Sequence, residues 1–291
     1  MPPVPFSLCA PAKINLALHV TGRRADGYHL LETLAVFCEL GDRLEFRAAR
    51  KDAFAITGRF GAGLSDDDNL VLRARDRLRQ KTGAARCPPV SILLEKNLPV
   101  ASGMGGGSSD AAATLRGLSR LWDLHLSNPA LTELGAALGA DVPMCLAAHP
   151  LVAWGIGEKL APLEDWPALD MVLVNPAMAV STPDVFRRLE SRENPPLGVP
   201  PRQADYRAAC FWLAGTRNDL EAPARSIVPE IGQALDALRE AGAGFARMTG
   251  SGATCFGLFS GPRAAGQAAA GIRDRHPDWF VEPTRTMGAP A

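Results

Sequence analysis

Along the N-terminal fifth of the chain, apolar positions gather in short runs rich in β-branched residues. Those at 14–21, 30–40, 42–48 and 53–57 predict strands. Gly22-Arg23-Arg24-Ala25-Asp26-Gly27 separates the first two runs and reads as a turn through its Asp-Gly step. The period then changes. Leu70, Ala74 and Leu78 recur at helical spacing and predict a helix over 69–81. A strand is expected over 90–95, helices over 108–121 and 131–138, and a turn over 139–143. The proline-rich, acidic stretch Ala161-Pro162-Leu163-Glu164-Asp165-Trp166-Pro167 marks a boundary, giving domains at 1–162 and 163–291.

Beyond it the pattern predicts a strand over 171–174 and a helix over 182–189 opened by Thr-Pro. An irregular proline-rich segment (191–201) and helices over 205–213 and 231–241 follow. Strands over 245–248 and 254–259 flank a glycine cluster, before a helix over 264–275 and a strand over 279–281. Helices alternating with antiparallel hairpins predict an α+β, two-layer architecture.

Composition narrows the function classes. The chain has 291 residues, 47% hydrophobic and 21% charged, with a formal net charge of zero. Zero net charge argues against nucleic-acid and membrane-surface binding, which leave a basic footprint. The basic run Arg73, Arg75, Arg77, Arg79 and Lys81 reads as a solvated helix face. Six scattered cysteines show no metal spacing and point to a reduced, cytoplasmic compartment. Met1-Pro2-Pro3-Val4-Pro5 has no charged start, so no signal peptide is expected, and the apolar stretch 134–156 is broken by Asp141, Pro143, His149 and Pro150.

Candidate chemistry centres on Gly103, Met104, Gly105, Gly106, Gly107, Ser108 and Ser109, between a predicted strand and a predicted helix. Glycine permits close backbone approach, and a helix N-terminus offers unpaired N–H groups to an anion. Ser108 and Ser109 are expected to cap the helix and reach phosphate or a metal ion. There is no G-x-x-x-x-G-K-[ST], so a nucleotide here is not held by a Walker-A loop. Asp110 reads either as a first-turn partner of the helix dipole or as a charge that Mg²⁺ must offset.

Other residues leave two readings each. Lys13 is an edge-strand charge or a catalytic cation, and Asp141 a turn residue or a general base. Tyr28 and His29 are a half-exposed pair or a platform and edge reader for a base. Thr249-Gly250-Ser251-Gly252-Ala253 is a type I′ or II′ hairpin turn or a loop closing on a ligand. His19, His125, His149 and His276 receive no role.

Three segments resemble, in order, the three motifs of the GHMP kinases: Pro11-Ala12-Lys13-Ile14-Asn15-Leu16, the Gly103 to Ser109 loop, and Thr249-Gly250-Ser251-Gly252-Ala253. The resemblance spans nearly the whole chain. It implies a two-domain α+β fold with an N-terminal ribosomal-protein-S5-like domain and a C-terminal ferredoxin-like α/β sandwich. Further details resemble the branch of that family whose substrate carries cytidine. They are the segment from Thr21 to His29, the extra glycine in Gly105-Gly106-Gly107-Ser108-Ser109, Leu138-Gly139-Ala140-Asp141-Val142-Pro143, Thr182-Pro183-Asp184-Val185-Phe186, and Arg217-Asn218-Asp219-Leu220.

The activity so implied is ATP-dependent phosphorylation of the 2-hydroxyl of a cytidine diphosphate-linked methylerythritol, in the non-mevalonate isoprenoid pathway. ATP and Mg²⁺ are the implied cofactors. The enzyme is expected to act on small molecules alone, with no nucleic-acid or membrane partner, as a monomer or weak homodimer.

The residue roles follow the same resemblance. Asp141 would be the base and Lys13 its partner cation, with Asn15 positioning the substrate and Thr182 near the reaction centre. Tyr28 and Phe186 would sandwich the cytosine and His29 read its edge. The residues from Gly103 to Ser109 would hold the ATP phosphates, Pro99, Gly250, Ser251 and Gly252 would also bind ATP, and Asn69 and Lys96 would line the adenosine pocket. Asp110 stands where many relatives have asparagine or alanine. The rival readings are a GHMP kinase for mevalonate or homoserine, whose substrates have no base to stack, and a non-catalytic sensor of the same fold.

Overall fold

The computed structural model describes residues 4–65 and 69–288. Met1, Pro2 and Pro3, part of the N-terminal reading, lie outside the described residues. In chain order the elements are β1 (Phe6–Arg23), β2 (His29–Ala48), β3 (Ala53–Thr57), α1 (Leu70–Thr82), β4 (Val90–Glu95), α2 (Gly106–Leu121), α3 (Asn128–Ala136), α4 (Val142–Ala147), β5 (Leu151–Gly155), β6 (Lys159–Pro162), β7 (Asp170–Asn175), α5 (Thr182–Arg187), α6 (Tyr206–Ala214), α7 (Glu221–Ile227), α8 (Glu230–Glu240), β8 (Phe245–Met248), β9 (Cys255–Phe259), α9 (Pro262–Arg275) and β10 (Phe280–Arg285). The architecture is α+β, as the alternation of patterns predicts.

The chain folds as two compact units that share β1 and β2. The first draws on Met1–Ala12, Gly41–Val100 and Gly105–Ala147. In it β3 runs parallel to β4, and β4 pairs antiparallel with the C-terminal part of β2, from Arg43↔Glu95 to Ala48↔Val90. Helix α2 packs against α1, α3 and α4 and is buried from Ser109 to Leu115. Its alanines and leucines supply the buried face, while Arg116 and Arg120 are exposed.

The second unit comprises Lys13–Leu40, Ala101–Met104 and Ala148–Ala291. The N-terminal part of β2 pairs with β5, and β5 with β6. A separate antiparallel sheet has the order β10-β7-β9-β8, with α8 and α9 packed on it. Val172, Val174, Ile231, Leu235, Leu238, Cys255, Ile272 and Val281 form its core.

The departures from the expected elements have local causes. The runs 30–40 and 42–48 form one strand, because Gly41 is not a break. A Cβ at Gly41 would lie 2.3 Å from the Ala10 carbonyl oxygen, so the glycine admits close approach of β1. Helix α4 replaces the turn expected through Pro143, since proline is tolerated in a first helical turn. Strands β5 and β6 occupy the broken apolar stretch and the expected boundary, and α7 had no clear period in seven residues. Between β8 and β9 the connection is longer than a two-residue turn: the Thr249 N–H donates to the Thr254 carbonyl (2.9 Å), enclosing four residues.

Candidate functional site

In the second unit the two glycine-rich segments lie against each other. The Lys13 N–H donates to the Met104 carbonyl (2.9 Å) and the Thr254 N–H to the Ser102 carbonyl (3.1 Å). A Cβ on Gly103 (φ +79°) would stand 2.5 Å from the Thr249 carbonyl oxygen, and one on Gly250 (φ +56°) 2.8 Å from that of Gly103. Backbone therefore meets backbone, which only glycine allows. The second cluster is a fixed loop docked on the start of the first.

Several side chains hold that loop. Asn218 donates through Nδ2 to the carbonyls of Met248 (2.8 Å) and Gly250 (2.9 Å), and its Oδ1 accepts from Leu220 N–H (3.0 Å). Asn15 N–H donates to Thr249 Oγ1 (2.8 Å) and Asn15 Nδ2 to Thr33 Oγ1 (2.8 Å). Thr182 and Ser251 share a hydroxyl–hydroxyl bond (2.7 Å). Arg247 is buried and donates to the carbonyls of Leu16, Leu213 and Thr216 and to Thr216 Oγ1. Burial, and then the nearby Arg217, pull its pKa down to about 10 against the opposing pull of Glu221. It remains a cation, tying β8 to β1.

Lys13 is 4% exposed. On β2, His29 stacks on Phe186 with centroids 4.7 Å apart at 25°. Its Nε2 is buried with no hydrogen-bond partner among the described residues. Burial lowers its pKa, with Arg23 and Arg192 acting the same way, so it is neutral at physiological pH. A neutral imidazole carries one donor and one acceptor, as reading a base edge requires. Tyr28, at the turn, is 60% exposed.

In the first unit, α2 begins at Gly106 with Gly105 (φ 65°) as its cap and no side-chain cap bond. This corrects the expected capping by Ser108 and Ser109. Both lie inside the helix, and Ser109 Oγ donates instead to the Pro11 carbonyl (2.6 Å). Among the described residues no side chain caps the first-turn N–H groups, which suits an anion site. Asn69 caps α1, accepting from Val71 N–H (3.0 Å), and Leu70 borders Gly107. Pro99 lies half-buried between β4 and the loop. Asp141 immediately precedes α4, its carbonyl accepting from Cys145 N–H (3.1 Å).

Lys96 forms a buried triad missed in the sequence: its Nζ donates to Asp42 Oδ2 (2.5 Å) and Asp110 Oδ2 (2.8 Å). Asp42 Oδ1 also accepts from the N–H groups of Asn97 and Leu98. Desolvation raises the Asp110 pKa to about 7, with Lys96 opposing and Asp42 reinforcing the rise. Burial alone would lower the Lys96 pKa, but the two carboxylates outweigh it and raise the value. Asp110 is thus part of a buried ion-pair network with Lys96 and Asp42 and more than a dipole partner.

The linkage has a definite sign. An acid whose pKa is higher folded than unfolded contributes stability that declines as pH rises from about 4 to about 7. Asp110→Asn removes this decline. Its Tm minus that of the parent is expected to rise between about pH 5 and pH 7.5; a difference that stays flat shows Asp110 ionised throughout.

Of the expected residues, the second unit brings together Lys13, Asn15, Gly103, Met104 and Gly250, then Thr182 with Ser251, and His29 with Phe186. The first unit holds Gly105 to Ser109, Lys96, Pro99, Asn69 and Asp141. Thr33 and Arg247 had no sequence signal, each being one polar residue within a strand. An open cleft of about 500 Å³ beside α9, lined by Ala241, Ala264, Gln267, Ala268, Gly271 and Arg275, contains none of these residues. Among the described residues no cluster of three or more His, Cys, Asp or Glu could hold a metal ion, and no helix is long and apolar enough to cross a membrane.

Comparison with known proteins adds a second line of argument. Residues 69–149 match the family profile "GHMP kinases N terminal domain" and residues 205–278 the profile "GHMP kinases C terminal". The chain is 58% identical to 4-diphosphocytidyl-2-C-methyl-D-erythritol kinase of Mesorhizobium japonicum, over 97% of this chain and 96% of that protein. It is 54% identical to the protein of that name from Rhizobium meliloti, over 99% and 97%. A crystal structure of 4-(cytidine 5′-diphospho)-2C-methyl-D-erythritol kinase superposes with a TM-score of 0.80 at 35% identity, covering 97% of this chain and 100% of that one.

Proposed function

The chain belongs to the GHMP kinase family, and from that premise we propose that it phosphorylates 4-diphosphocytidyl-2-C-methyl-D-erythritol with ATP. The products are ADP and the 2-phosphate, a step of the non-mevalonate isoprenoid pathway. The observation that carries this reading is near-full-length identity to relatives bearing that name. The stacked His29–Phe186 pair beside the exposed Tyr28 supports it, because mevalonate and homoserine offer no base to stack.

Phosphoryl transfer needs positioned phosphates, neutralised charge and an aligned hydroxyl. In the first unit Gly105 to Ser108, Pro99, Asn69 and Lys96 are assigned to ATP, the last two to its adenosine; in the second unit Gly103, Met104, Gly250, Ser251 and Gly252 are assigned to ATP. Mg²⁺ bound with ATP would offset charge on its phosphates. Asp141 accepts the proton of the 2-hydroxyl as that oxygen bonds to the γ-phosphorus and the bond to ADP breaks. Lys13 stabilises the developing alkoxide. Asn15 and Thr182 align the polyol, and Tyr28, His29 and Phe186 hold the cytosine. The protein acts in the cytoplasm, as a monomer or weak homodimer.

Steady-state kinetics of Tyr28→Ala tests the cytidine assignment. KM for the cytidine substrate is expected to rise about tenfold, from the lost stacking, with KM for ATP within about twofold of the parent. The reverse pattern contradicts it.

A further inference from the structure

Asn15 is 2% exposed, yet its Oδ1 is buried without a hydrogen-bond partner among the described residues. Its neighbour Thr33, 3% exposed, determines which way the amide faces. The Thr33 hydroxyl donates to the Ala17 carbonyl at 2.6 Å. A hydroxyl has one proton, and two oxygens that close must have it between them. Toward Asn15, Thr33 Oγ1 is therefore only an acceptor, so the amide atom 2.8 Å away is Nδ2. Oδ1 then faces the other way, 3.4 Å from where a Cβ on Gly250 would stand. The bond from Asn15 N–H to Thr249 Oγ1 fixes the backbone under it.

We infer that Thr33 is a positioning residue that locks the Asn15 amide, so that its oxygen accepts a hydrogen bond from a hydroxyl of the alcohol substrate. The inference rests on the functional reading above and deepens it. Phosphate oxygens offer no proton at neutral pH, and an amide oxygen facing them sets lone pairs against lone pairs. A polyol hydroxyl is a donor and satisfies the unpaired acceptor. Asn15 thus serves the alcohol substrate, although it adjoins the Gly250 loop assigned to the nucleotide.

The test compares Thr33→Val, which keeps the shape and removes the hydroxyl, with Thr33→Ser, which keeps the hydroxyl. Thr33→Val is expected to raise KM for the cytidine-linked alcohol about tenfold and to leave KM for ATP within about twofold, with Thr33→Ser restoring most of the loss. A second readout does not need turnover: the Asn15 side-chain amide protons, seen by NMR, are slow to exchange in the parent and in Thr33→Ser, and fast in Thr33→Val.

Parent-like KM in Thr33→Val overturns the inference, as does equal impairment in both variants, which marks a packing role. Amide protons equally protected in all three proteins overturn the lock itself. A parent protein that fails to phosphorylate the cytidine-linked alcohol overturns the functional reading and the substrate half of the inference, while the amide readout still decides the lock.

Discussion

Asp141→Asn lowers kcat by about 10²–10⁴-fold, the usual cost of losing a general base, and leaves ATP affinity near that of the parent. The asparagine is isosteric, and the backbone bond from Cys145 N–H to the residue-141 carbonyl does not depend on the side chain's charge. What disappears is the carboxylate proposed to accept the substrate proton. Single-turnover rates and calorimetric titration with a non-hydrolysable ATP analogue separate the two effects. A large loss of nucleotide affinity with kcat intact would assign Asp141 to the nucleotide site instead.

Gly103→Ala is expected to weaken binding of the same analogue by at least about tenfold and to lower Tm by on the order of 5 °C. At φ +79° an L-residue is strained, and the added Cβ would stand 2.5 Å from the Thr249 carbonyl and 2.9 Å from that of Gly252. These are backbone atoms with no rotamer to escape into, so the two loops must separate. Gly107→Ala is the control. Gly107 lies within α2, and its Cβ would meet only the Leu70 side chain at 3.4 Å, so stability is retained or improved. Equal behaviour of the two variants, by thermal unfolding and titration, would show that the loop contact is unimportant.

Why some of this was readable in the chain and some was not follows from individual residues. The strand–glycine loop–helix order was visible because 90–95 and the alanine-rich run after Ser109 have strong local patterns, and β4 and α2 stand there. The cap was misassigned because serine is a good cap by propensity, whereas Gly105 in a left-handed conformation turns the chain one step earlier. Gly41 and Gly103 show the same ambiguity. Local sequence cannot tell a flexible glycine from one required by a distant backbone atom.

Long-range polar pairing was hidden altogether. Asp42, Lys96 and Asp110 are 54 and 14 residues apart, and only folding brings their charges into one buried site. Thr33 is equally silent, since its bond to Ala17 exists only once β1 and β2 pair. The roles of Lys13 and Asp141 came from resemblance to a family. Their separate environments, a buried strand position and a helix-opening turn, are what the structure adds.

The proposed kinase is expected to be selective for a cytidylylated alcohol. The most direct measurement is ADP release by the purified protein with MgATP and, in turn, 4-diphosphocytidyl-2-C-methyl-D-erythritol, the uncytidylylated methylerythritol phosphate, mevalonate and homoserine. Turnover is expected with the first alone, with phosphorus NMR showing one new phosphomonoester. Equal turnover of the uncytidylylated phosphate, or preference for mevalonate or homoserine, would contradict the account.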